Sequence, residues 1–233
     1  MGIREVVSRT PALAGVSSAS LERLVAVARC RTVERGGYLW HAGDPADSLT
    51  LIRAGLVKVV KSNQKGRRAI CGLFGAPDTV GDAAVLRGIP YPADVLVASP
   101  SASLIELPRR DVMTAIEHEP HLGMSCAQAV QNKLTTLLDK IDILSAGAVE
   151  ARLATLLLNL YDRFGDDLED ETKIIPLVLS RQELADLVST TFETAIRVMT
   201  RWEREGVVDT TCNGFVIRKR EQLERVAGRD VEA

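Results

Sequence analysis

The chain has 233 residues and 25.3 kDa, with 46% hydrophobic and 26% charged residues, which excludes a disordered chain and suggests roughly two globular domains. Twenty-nine Lys and Arg against 31 Asp and Glu leave a net charge of −2 and a pI near 6.0, so any surface for a polyanion must be local. Cys30, Cys71, Cys126 and Cys212 form no CxxC or CxxH pair, which argues against a zinc ribbon or clustered iron–sulfur ligands and reads as reduced thiols.

The first residues, MGIREVVSRTPALAGV, contain no continuous apolar run, and Val6 stands where a myristoylation signal needs Ser or Thr. Nothing downstream reaches the apolar length of a membrane span, so a soluble cytoplasmic protein without a membrane partner is expected. From Arg31 to Leu107 the period is two. Leu49–Ile52, Leu56–Val60, Ala69–Leu73 and Ser103–Leu107 read as short strands, separated by turns at Gly36-Gly37, Gly43-Asp44-Pro45, Asn63–Gly66 and Gly75–Asp78. Many short strands imply a β-barrel or sandwich, and without strand-helix-strand alternation a dinucleotide-binding sheet is excluded.

After Pro108 the period changes. Gly123, Ala127, Val130, Leu134, Leu137, Ile141 and Leu144 are spaced 4, 3, 4, 3, 4, 3, the seam of a coiled coil, which favours homodimerisation through one long helix over packing on its own domain. Ser145 is placed to cap a following helix, Ala148–Phe164, ended by Gly165. The acidic run Asp166, Asp167, Glu169, Asp170 and Glu171 lacks the spacing of a calcium loop and reads as solvated.

Ser180-Arg181-Gln182-Glu183 is a capping box that starts a helix, and Ser189-Thr190-Thr191 supplies a tight turn into a second helix, Phe192–Glu205, ended by Gly206. Ala195, Val198, Met199 and Trp202 form the inner face of that second helix. Phe192, Glu193, Ile196, Arg197 and Thr200 point away from it. The hairpin Val207–Ile217 completes a winged helix-turn-helix. Arg197 suits guanine O6 and N7 and Glu193 suits cytosine N4, although an i,i+4 salt bridge between the two is an equal alternative by spacing. Between Ser180 and Arg220 seven basic residues face six acidic ones, so DNA binding calls for a two-fold dimer that doubles every contact.

LSRQELADLVSTTFETAIRVMTRWEREGVV resembles the signature helix-turn-helix of the CRP/FNR superfamily of transcription regulators, and Leu39–Gly88 is similar to its cyclic-nucleotide-binding β-roll, with glycines at Gly43, Gly55, Gly66 and Gly81. The resemblance implies an α+β fold: an N-terminal cyclic-nucleotide-binding-like β-roll over 1–118, a long dimerisation helix and hinge over 119–145, and a C-terminal winged helix-turn-helix over 146–233. It further implies a homodimer that binds a palindromic double-stranded DNA operator through Arg181, Thr190, Thr191, Phe192, Glu193, Ile196, Arg197 and Thr200, with RNA polymerase and a small-molecule effector as partners. The dimer interface falls to Val130, Leu134, Leu137, Ile141 and Leu144, and the effector pocket to Leu73, Gly81, Asp82, Tyr91 and Pro92.

Two departures bear on the effector. Cyclic-nucleotide binders of this family carry a Glu for the ribose and an Arg-Ser pair for the phosphate, where this chain has Asp82 and Tyr91-Pro92. Nothing obvious then neutralises a phosphate, so cyclic AMP is disfavoured. The run Gly88-Ile89-Pro90-Tyr91-Pro92 is similar to the dissimilatory nitrate respiration regulators, which answer nitric oxide through haem, and that resemblance implies haem with His41, His118 or His121 as candidate axial ligands. A cyclic-nucleotide-gated or effector-independent DNA-binding regulator is the alternative. An enzyme is disfavoured, because the chain has no GxSxG, P-loop or HExxH motif and three histidines in all.

Overall fold

A computed structural model describes residues 2–62, 68–167 and 173–229, which divide into two compact units, 1–136 and 137–233. The first begins with two helices the sequence reading did not anticipate, α1 (Ile3–Arg9) and α2 (Ser18–Val27), the latter capped by Ser17, whose side chain accepts from the Ser20 amide. Eight strands follow: β1 (Arg29–Glu34), β2 (Tyr38–Trp40), β3 (Ser48–Ala54), β4 (Leu56–Ser62), β5 (Arg68–Gly75), β6 (Thr79–Val80), β7 (Asp94–Val97) and β8 (Ser101–Pro108). A short helix, α3 (Asp82–Arg87), lies between β6 and β7, and α4 (Arg109–His118) and α5 (His121–Ser145) follow β8.

The strands form two four-stranded antiparallel sheets in the orders β1-β8-β3-β6 and β2-β7-β4-β5. Such orders, with neighbours distant in sequence, are the roll expected from the resemblance. Leu51 opposes Ile105 and Ile52 opposes Leu104 in register, and all four are fully buried. Burying each such aliphatic stabilises the unit by roughly 1.5–3 kcal/mol. Val6 and Val7 of α1, Leu24 of α2, Val112 of α4 and Leu122 of α5 close the same core. The expected turn Asn63–Gly66 lies outside the described residues.

The second unit contains α6 (Val149–Phe164), β9 (Asp166–Asp167), β10 (Lys173–Ile175), α7 (Arg181–Leu187), α8 (Phe192–Arg204), β11 (Val208–Thr211), β12 (Gly214–Ile217) and α9 (Arg220–Ala227). Ser145 does not cap α6. It is the last residue of α5, and α6 starts after Ala148 without a side-chain cap. Asp166 and Asp167 are strand residues paired with Ile174 and Lys173, while Glu169, Asp170 and Glu171 fall outside the described residues. The hairpin is tighter than expected, with Thr211 opposite Gly214, and β12 also pairs with β10. Only glycine fits at 214: its φ is +144°, and a Cβ there would lie 1.9 Å from the Ile175 carbonyl oxygen. Among the described residues no helix is long and apolar enough to cross a membrane.

Candidate nucleic-acid interface and effector pocket

The helix-turn-helix is built from its caps outward. Ser180 accepts from the Glu183 amide and the Glu183 carboxylate accepts from the Ser180 amide, so the box read from the sequence starts α7. Ser189 turns the chain with φ +51°, a left-handed conformation uncommon for a non-glycine residue, and the Thr190 amide donates to the Ala185 carbonyl at 2.9 Å. Thr191 then caps α8 by accepting from the Thr194 amide. Ala195, Val198, Met199 and Trp202 are buried, and the Trp202 indole donates to Glu150 of α6 at 3.3 Å. That anchoring leaves the opposite face of α8 free.

Phe192, Glu193, Ile196, Arg197 and Thr200 are all exposed on that face, and Phe192 and Ile196 are among the largest exposed apolar side chains described. Among the described residues no ion pair joins Glu193 to Arg197, so the salt-bridge alternative is not the arrangement found. The other basic residues are mostly engaged. Arg181 donates to Glu203 at 2.7 Å and to Thr210 at 2.8 Å, tying α7 to α8 and β11, so this predicted DNA contact is a brace within the domain. Arg201 pairs with Glu150, Arg218 with Asp209 at 2.9 Å and Arg220 with Asp162 at 3.2 Å, while the Lys219 ammonium donates to the Glu205 carbonyl at 2.8 Å. Arg197 stands apart from this web, on the face that can enter a groove. Cys212, read from the sequence only as a reduced thiol, and Asn213 are exposed at the tip of the wing.

In the roll, the predicted pocket residues separate into two groups. Tyr91 is a core residue: its ring stacks on Trp40 with centroids 4.0 Å apart, and its hydroxyl donates to the Ser48 carbonyl at 2.8 Å. Burial raises the pKa of that hydroxyl. Gly81 makes room for the stack, because its φ is +80° and a Cβ there would meet Tyr91 at 2.6 Å. Pro92 is exposed and Leu73 is buried on β5. The second group centres on Asp82, which is 5% exposed. Its carboxylate accepts from the Thr79 hydroxyl at 3.0 Å and from the ammonium of Lys133 on α5. Lys133, which the sequence reading passed over, also donates to Thr79 at 3.2 Å and lies 5.7 Å from the centroid of the Phe74 ring.

The three histidines are exposed and dispersed. His41 stacks on Tyr38 beside Asp94, a ring nitrogen of His118 bonds the Thr114 carbonyl at 2.7 Å, and one of His121 bonds the Gly15 carbonyl at 2.9 Å. Among the described residues no three His, Cys, Asp or Glu side chains are placed to hold a metal ion. On the expected dimer seam, Ile141 is 57% and Leu144 39% exposed, Val130 is half-buried, and the side chains of Leu134 and Leu137 lie outside the described ones.

Residues 30–119 match the cyclic nucleotide-binding domain family and residues 151–226 the Crp-like helix-turn-helix domain. Electron transport regulator A of Shewanella oneidensis is 25% identical over 203 residues, covering 87% of this chain and 80% of that protein. The fumarate and nitrate reduction regulatory protein of Escherichia coli is 25% identical over 202 residues, again 87% and 80% of the two chains. The structure of FixK2 from Bradyrhizobium japonicum shares the fold with a TM-score of 0.70 at 20% identity, covering 89% of this chain and all of that one.

Proposed function

The chain belongs to the CRP/FNR superfamily of transcription regulators, with a cyclic-nucleotide-binding-type domain and a DNA-binding helix-turn-helix, and we propose that it acts as a homodimer reading a palindromic operator under the influence of its roll. The observation that carries this reading is the outer face of α8, where Phe192, Glu193, Ile196, Arg197 and Thr200 are exposed together while the inner face is fully buried. Among the described residues Arg197 is exposed without an ion pair next to the exposed Ile196, a combination that suits a guanine edge beside a thymine methyl group. Two such helices related by a dyad read half-sites about 34–36 Å apart, one turn of B-DNA. The exposed Ile141 and Leu144 on α5 supply the apolar surface for pairing. Dimer contacts to DNA then place the molecule beside RNA polymerase, the partner this reading implies.

The effector side is read differently from the sequence expectation. The buried Tyr91 and the dispersed histidines, two of them with a ring nitrogen bonded to a backbone carbonyl, do not fit a haem site, so an axial ligand and a macrocycle pocket draw no support from these residues. An Asp82 already paired with Lys133, with no arginine among its described partners, gives equally little to a cyclic nucleotide. Selection of operator sites from random DNA, with sedimentation of the protein and its complex, tests the proposal. A twofold-symmetric footprint bound by two copies is expected, whereas an asymmetric site bound by a single copy would overturn it.

A further inference from the structure

One buried charge in the roll is balanced from outside the sheets. Asp82 begins α3 and is 5% exposed, and a carboxylate so placed requires a cation and hydrogen-bond donors. Thr79 of β6 gives one hydrogen bond, and the cation comes from α5, on which Cys126, Ala129 and Lys133 follow one another at spacings of three and four along the face turned to the roll. Cys126 and Ala129 are buried there, and the Cys126 thiol donates to the Ala12 carbonyl at 3.1 Å. Phe74 covers the ammonium from the side. Lys133 itself keeps 20% of its side chain exposed.

We propose that Lys133 is the positioning residue that fastens α5 to the roll, its ammonium giving Asp82 an internal counter-ion so that the ligand-free protein already holds its DNA-binding arrangement. The proposal rests on the dimeric operator-binding reading above. A helix has 100° between successive residues, so pinning position 133 sets the rotation of this part of α5 about its own axis against the roll. With the pair intact, α5 keeps one rotation against the roll and offers a second copy one pairing register, on which the operator affinity of a dimer depends. Without it, the uncompensated partner draws in water and α5 can turn against the roll.

The test titrates operator DNA with the full-length protein, no effector added, for wild type, Lys133→Met, Asp82→Asn, the double variant and Lys133→Arg. Wild type binds. Lys133→Met and Asp82→Asn each weaken binding by about tenfold, the double variant is no weaker than either single one, and Lys133→Arg stays within about threefold of wild type. Operator affinity well below the melting temperature is a readout that a merely structural contact would not move. Unchanged or tighter binding by Lys133→Met overturns the proposal. Amide hydrogen exchange over residues 126–133, compared between wild type and Lys133→Met, examines the fastening by itself, and equal protection overturns it. Wild type that binds no DNA defeats the functional reading instead, while the exchange comparison still decides whether Lys133 fastens α5.

Discussion

Among the described residues, Arg197 and Arg204, seven residues apart on the outer face of α8, are exposed without an ion pair, whereas Arg181, Arg201, Arg218 and Arg220 each have a carboxylate partner inside their own unit. An arginine already paired must break that pair to reach DNA. A free one need only leave water. Arg197→Ala is therefore expected to cost about 1–3 kcal/mol of specific binding per half-site and to relax the preference for guanine at one position. A binding-site selection on the variant checks this, and an unchanged base preference refutes the role. Arg181 has a partner that spacing does not reveal: it sits at the first position of a helix-turn-helix and donates to Glu203, 22 residues on, at 2.7 Å. Tyr91 shows the same limit, since a short Pro-Tyr-Pro run cannot reveal that Trp40 stacks on the ring. Lys133 had a visible signal, its place four residues along the helix from Ala129 and seven from Cys126. The sequence does not disclose that this face meets a buried carboxylate.

At the scale of elements, legibility followed burial. Strands β3, β4, β5 and β8 alternate or run apolar because the core takes one or both of their faces, and they were readable. β1, with Arg29, Arg31 and Glu34, is an edge strand whose charges guard against misassociation and hide the period, and β2 has only three residues, too few to show one. The short α1 and α9 bury too few residues to leave a stripe. α1 and α2 gain their stability from tertiary contacts instead. Just before α5, Glu119 accepts from the Ser17 amide at 2.9 Å and from its hydroxyl at 2.6 Å, and the Ser125 hydroxyl donates to the Ala14 carbonyl at 3.0 Å. Hydrogen bonds from Ser17 and Ser20 lower the Glu119 pKa to about 2. A carboxylate with a depressed folded-state pKa stabilises the fold above its unfolded value near 4.5, and that contribution is lost as pH falls toward about 2. Urea midpoints at successive pH values between these limits should fall more steeply for wild type than for Glu119→Gln. Parallel curves would show that the clasp adds nothing.

For the whole molecule, the near-neutral charge and the exposed seam belong to one argument. With a net charge of −2 and most basic residues of the second unit internally paired, a single copy has little to hold a polyanion. In the proposed dimer two copies would double the phosphate contacts and bring two Arg197 side chains to one site. Of the heptad spacing that suggests such a seam, Ile141 and Leu144 are exposed, while Leu122, Cys126 and Ala129 on the neighbouring face of α5 are buried. Ile141→Asp places a charge toward the C-terminal end of that seam and is expected to shift the protein from a mass twice 25.3 kDa toward the single chain at micromolar concentration. Operator affinity should fall with it. The slope of log affinity against log salt should drop to about half, since each separated copy keeps only its own phosphate contacts. Sedimentation and salt titration on the same variant decide the matter, because a dimer that survives Ile141→Asp with its slope intact must be joined by some other surface.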